Sequence, residues 1–88
     1  MLTVEAAAVQ KDGIVYSVPR PGRHHDVIRM MVLAGVVPSR DEGAVQGFLL
    51  SDGTFATRWK AAQVAYRAGQ ILSKPDQMPE TLLSEDLW

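Results

Sequence analysis

The sequence contains no cysteine, so it can build neither a disulfide framework nor a thiolate metal site, and the zinc-finger class is excluded. No apolar run approaches the roughly 18 residues that a membrane-spanning helix needs. The opening MLTVEAAAVQ carries Glu5 and no basic stretch, so a secretory leader is not expected; the protein is expected to be soluble and cytoplasmic. A basic excess is missing as well: nine Lys and Arg face ten Asp and Glu, for a net charge of −1. Duplex-DNA binders draw affinity from neutralised phosphates, so nucleic acid is disfavoured as a partner. The phosphate-binding GxxxxGKS/T, GxGxxG, GxSxG and HExxH patterns are all absent, which removes the standard enzyme signatures.

What is present is an ordinary globular composition, 47% apolar and 22% charged over 88 residues. A chain of this size forms one domain and buries only about 60–65% of its unfolded surface. Its organising stretch is Gln46 to Gln70, a β-hairpin that feeds directly into an amphipathic helix. Gly47 to Leu50 reads as one strand, Asp52-Gly53 as the turn and Thr54 to Ala56 as the return, because Asp-Gly between apolar runs supplies the positive φ of a tight hairpin. Thr57 suits an N-cap, although Lys60 is not the Glu of a capping box. The helix carries Ala61, Val64, Ala65 and Ala68 as its apolar stripe and ends at Gly69.

The first half echoes this order. A strand over Leu2 to Gln10 meets Asp12-Gly13 and a second strand, Ile14 to Val18, which Pro19 and Pro21 terminate. A helix from His24 or His25 to Ala34 follows, with Val27, Ile28, Met31 and Val32 on one face and Gly35 beyond its end. Ser39 to Ala44 reads as a charged surface loop, and Leu82, Leu83, Leu87 and Trp88 are too apolar to leave the tail undocked. The expected fold is α+β: a single domain over residues 1–88 in ββα-ββα order, with an antiparallel sheet, two helices on one face and a docked C-terminal tail. Its units are a hairpin plus helix at 1–35, a second at 46–70, and a connector and tail at 73–88.

Three places can carry chemistry. Arg20, Arg23, His24, His25 and Arg29 cluster at a helix start, where the dipole disfavours cations; that mismatch suggests charges that serve an anionic partner. Adjacent histidines point about 100° apart on a helix and no further ligands stand at a recognisable spacing, so no metal and no cofactor are expected. On the second helix Trp59, Gln63, Tyr66 and Gln70 form one line of aromatic and amide groups, flanked by Arg58 and suited to stacking on a flat ligand or to a protein contact. The third place is the tail, Ser84, Glu85, Asp86 and Trp88, which can anchor on its own domain or offer a short peptide to another protein.

The ordered set Arg23-His24-His25-Asp26-Val27-Ile28, Gln46-Gly47-Phe48, Ser51-Asp52-Gly53-x-Phe55, Arg58, Ala68-Gly69-Gln70 and Ser84-Glu85-Asp86-Leu87-Trp88 resembles a family of small phage- and prophage-encoded proteins of unassigned function. Lys60 stands where similar proteins often carry an acidic residue, which argues against catalytic use of that position. The resemblance implies a phage origin and an accessory role inside a host cell, without a mechanism. The functional expectation is therefore a binding protein acting in the host cytoplasm on a nucleotide-like ligand or a host protein, with counter-defence among such roles. Its ligand-binding candidates are Arg20, Arg23, His24, His25, Gln46, Arg58, Trp59, Gln63, Tyr66 and Gln70. One alternative is a small nucleotide-processing enzyme using His24 or His25 as general acid/base; another is a nucleic-acid-binding protein. A homo-oligomer is compatible with all three.

Overall fold

Asp12 and Gly13 both adopt positive φ, +52° and +78°, as a type I′ turn requires. They join strands β1 (Val4–Lys11) and β2 (Ile14–Pro19) in a computed structural model that describes residues 1–88. Helix α1 (His24–Leu33) follows, then a 3₁₀ turn over Arg40–Glu42. Strands β3 (Val45–Leu50) and β4 (Phe55–Thr57) lead straight into α2 (Arg58–Arg67). A second 3₁₀ turn, Ser84–Asp86, closes the chain. The four strands form one antiparallel sheet in the order β2-β1-β3-β4.

The second Asp-Gly makes a different hairpin from the first. The Gly53 N–H donates to the Leu50 carbonyl (2.9 Å) and the Leu50 N–H to the Thr54 carbonyl (2.8 Å), and of the loop residues only Gly53, at +85°, has positive φ. This is a three-residue loop ending in a left-handed glycine. Asp52 Oδ1 locks it by accepting from the Thr54 N–H (3.0 Å) and the Thr54 hydroxyl (2.6 Å).

Both helices lie on one face because the sheet's register gathers its apolar side chains there. Ala7 pairs with Phe48 and Val4 with Leu50. Strict alternation would send Val4 to the opposite side from Ala7, but a register shift between Val4 and Ala6 inserts Glu5 as a bulge and returns Val4 to the helix side. Val27 and Met31 of α1 pack on Ala7, Val9 and Ala44. Ala61, Ala62 and Ala65 of α2 pack on Val4, Phe48, Leu50 and Ala56, together with Ile71, Leu82 and Leu87.

The details depart from the expected pattern in four ways. On α1, Val27 and Met31 are buried and Ile28 packs half-buried beside them as expected, but Val32 is exposed and His24 at the helix start joins the buried line instead. On α2, Ala62 takes the core place expected of Ala68, and Val64 is only half-buried. The segment expected as a charged loop is a 3₁₀ turn: Ser39 Oγ accepts from the Asp41 N–H (3.2 Å), and Ala44 beyond it is buried. In the tail, Leu82 and Leu87 are buried but Leu83 is exposed. Asp86 pins this tail three ways, accepting from the Leu72 N–H on its carbonyl (2.7 Å) and from the Ser73 hydroxyl (2.8 Å) and the Leu83 N–H (2.9 Å) on its carboxylate.

Gly47 marks a close approach on the sheet's other face. A Cβ there would collide with the Ala56 carbonyl oxygen and stand 2.5 Å from Phe55 Cζ, because the Phe55 ring folds over the glycine.

Candidate functional site

His24 begins α1 and turns inward. Its Nε2 lies 2.7 Å from the Gly47 carbonyl oxygen; a carbonyl only accepts, so Nε2 carries the proton. The ring stands edge-on to Phe48, centroids 4.9 Å apart at 87°. Burial pushes the imidazole below its ordinary value; the Gly47 hydrogen bond opposes this, and the nearby positive charge of Arg58 adds to the lowering. The unfolded chain therefore takes up the proton first as pH falls. His24's contribution to stability is complete above pH ~6.5 and is lost progressively between that point and the lower folded-state value. Urea midpoints at pH 8 and pH 5 are expected to differ in this sense, with a smaller difference in His24→Gln. An equal drop in the variant would exclude His24 as the source.

Part of the basic cluster is engaged within the chain. Arg20 pairs with Glu5 (3.5 Å) and lies 5.7 Å over the Trp88 ring. Arg23 donates through Nη2 to the Trp88 carbonyl, and its Nη1 is 3.8 Å from Glu85. Trp88 Nε1 donates to the Gly22 carbonyl (3.0 Å). His25 is exposed, 3.5 Å from Asp26, and Asp26 also accepts the Arg23 N–H (2.8 Å), half of a capping box. Arg20 and Arg23 thus each face a carboxylate of the same chain, and the tail covers the loop that carries them; Arg29 on α1 is exposed and makes no ion pair.

The line Trp59, Gln63, Tyr66, Gln70 is divided. The Gln70 amide accepts from the Val4 N–H (2.8 Å) and donates to the Val4 carbonyl (3.0 Å), tying the end of α2 to the start of β1. Tyr66 and Trp59 are exposed. Trp59 alone of the four lines a cleft of about 670 Å³, together with Arg40, Gln46, Thr57, Arg58 and Thr81 around Ala44 and Val45.

The cleft brings Gln46, Arg58 and Trp59 together and adds Arg40. Arg58 donates through Nη1 to the Leu82 carbonyl (2.6 Å) and through Nη2 to Gln46 Oε1 (2.6 Å), and stands 5.9 Å over the Phe48 ring. Burial lowers its pKa and Glu85 opposes the shift; a guanidinium remains charged regardless. Two arginines and no carboxylate line this space, at the N-terminus of α2, where the helix dipole also favours an anion. Arg40 was not among the candidates. The Ser39 cap and Gly43 foretell a short turn, but nothing local places that turn beside α2. No group of three His, Asp or Glu side chains gathers in a way that would hold a metal ion, and no helix is long and apolar enough to cross a membrane.

Fold and cleft define a small α+β protein with a cation-lined surface recess. A model of the Phage T4 y16D protein family matches residues 3–88, and the chain belongs to that family. The phage affiliation expected from the sequence is thereby shown. Comparison with curated proteins and with solved structures gave no match.

Proposed function

We propose that this phage protein is an accessory binding protein that holds a nucleotide-like small molecule in the cleft between the first 3₁₀ turn, β3 and the start of α2. The observation that carries the proposal is the lining itself: Arg40 and Arg58 with no carboxylate, beside an indole, Trp59, that is 56% exposed. Guanidinium groups match phosphate oxygens in geometry and charge. An exposed indole offers a stacking face to any base, a contact worth about 1–3 kcal/mol. Recesses of several hundred Å³ are of the size that small ligands occupy.

Binding without turnover is the favoured chemistry. His24 is buried and committed to the Gly47 carbonyl, and His25 pairs with Asp26; neither lines the cleft. Capture in a host cytoplasm would withdraw the molecule from host proteins that respond to it, which is a means of counter-defence.

A thermal-shift panel of nucleoside phosphates, cyclic nucleotides and ADP-ribose derivatives tests this, since a ligand that binds only the folded state raises Tm. At least one class is expected to do so and to be recovered unaltered by chromatography. Trp59→Ala is expected to weaken that binding by roughly 5- to 150-fold. Its ligand-free stability should stay within about 0.5 kcal/mol of the parent, as for other surface substitutions. No shift across the panel, or unchanged affinity in Trp59→Ala, would overturn the proposal; conversion of the ligand would make the protein an enzyme.

A further inference from the structure

The cleft carries a second layer of chemistry, in the direction of its hydrogen bonds. Gln46 Oε1 faces the Arg58 guanidinium at 2.6 Å. A guanidinium only donates, so the facing atom must be the amide oxygen, and the orientation of this amide is settled by chemistry. The amide nitrogen of Gln46 is then the atom left over. It has no partner in the protein and is not sealed from solvent, and Gln46 lines the cleft. Its two N–H groups are therefore unpaired within the protein, on a side chain that lines the cleft.

The other lining side chains tell the same way. Arg40, Arg58 and the Trp59 indole are donors with no acceptor at all. The Thr57 and Thr81 hydroxyls can each donate and accept, Thr57 Oγ1 already accepting from the Lys60 N–H (3.4 Å), so donors outnumber acceptors among the lining side chains. A recess with this excess of N–H donors favours acceptor-rich ligands over donor-rich ones. An amino group turned toward Gln46 Nε2 leaves donors on both sides without partners, and unpaired polar groups are what make such sites discriminate.

Nucleobases divide along this line. Guanine presents adjacent O6 and N7 acceptors and thymine or uracil an O4 acceptor, whereas adenine and cytosine present exocyclic amino groups on the corresponding edge. Resting on the nucleotide-binding reading above, we propose that the cleft selects nucleotides with a keto base, guanine over adenine and uracil over cytosine. Gln46 Nε2 is the reading group, Trp59 the stacking platform, and Arg40 with Arg58 hold the phosphate. Arg58 has two tasks: it contributes charge, and it fixes the Gln46 amide so that the nitrogen and not the oxygen meets the base.

The test is isothermal titration with the 5′-monophosphates of guanosine, adenosine, uridine and cytidine, which share phosphate and sugar. The unaltered protein is expected to bind the guanosine and uridine forms roughly 5- to 150-fold more tightly than their amino counterparts. Gln46→Glu keeps an oxygen for Arg58 and turns a second oxygen to the cleft, replacing donors by an acceptor. The added charge weakens every phosphate ligand, so the ratio between bases is what is read; it is expected to fall to unity or invert. Gln46→Ala, which adds no charge, is expected to abolish the discrimination. Equal binding of all four monophosphates overturns keto selection and leaves nucleotide binding standing. Selectivity that survives in both folded Gln46 variants overturns the role of Gln46. Binding of none of the four overturns this selection, while a response to other members of the thermal-shift panel would still uphold the broader reading.

Discussion

Phe48→Ala is expected to lower the stability of the domain by about 3–5 kcal/mol, as for other buried aromatic truncations. Phe48 is fully buried, and its ring is shared by α2, the edge of His24 and the Arg58 guanidinium. Its neighbours on α2 are alanines, whose short side chains cannot lean into the space vacated. Small domains sit toward the low end of the usual stability range of about 5–15 kcal/mol, so the variant should be largely unfolded at moderate temperature. Urea denaturation followed by circular dichroism measures this, and a loss below about 1 kcal/mol would mean that the core collapses around the site more readily than its alanines suggest.

Gly47→Ala is the second large effect and runs against a general trend. Glycine-to-alanine changes stabilise by about 0.4–1 kcal/mol where the backbone tolerates them, because the unfolded chain loses freedom. Here the new methyl meets the Ala56 carbonyl oxygen and the Phe55 ring. A ring can rotate away; a carbonyl held in the β3–β4 ladder cannot. The strands must separate locally, and the expected outcome is destabilisation by about 1–3 kcal/mol or more. Amide exchange at Phe55 and Thr57 should accelerate, since Gly47 pairs with Thr57 and Leu49 with Phe55. Any gain in stability would show that β4 is not held as described.

Much of the architecture was legible because it follows from local chemistry. Asp12-Gly13 demands positive φ and takes it, and Thr57 caps α2 as its hydroxyl permits. The identical dipeptide Asp52-Gly53 makes a different turn because Ser51 joins the loop, a matter of register that the dipeptide alone does not specify. The candidate site was only partly legible. Gln46, Arg58 and Trp59 were among the candidates and share one cleft. Arg20 and Arg23 were candidates too, but their charges are answered by Glu5 and Glu85, residues from near the two ends of the chain whose approach is a product of the fold. Gln70 looked like a binding amide; its two bonds to Val4 form only once β1 lies beside the end of α2. Arg40 looked solvated because Asp41 and Glu42 follow it, and only packing brings its turn to the mouth of the cleft.

Arg58 holds the Leu82 carbonyl with one arm of its fork and Gln46 with the other. The segment that closes the chain and the recess on its surface therefore draw on one guanidinium and cannot be energetically independent. Thermodynamic linkage makes the dependence mutual: whatever factor tail docking imposes on affinity in the recess, occupancy of the recess returns to the tail. A fusion or truncation near Leu82 acts on the cleft at a distance, and a ligand that engages Arg58 has a second readout in the exposure of Leu87 and Trp88.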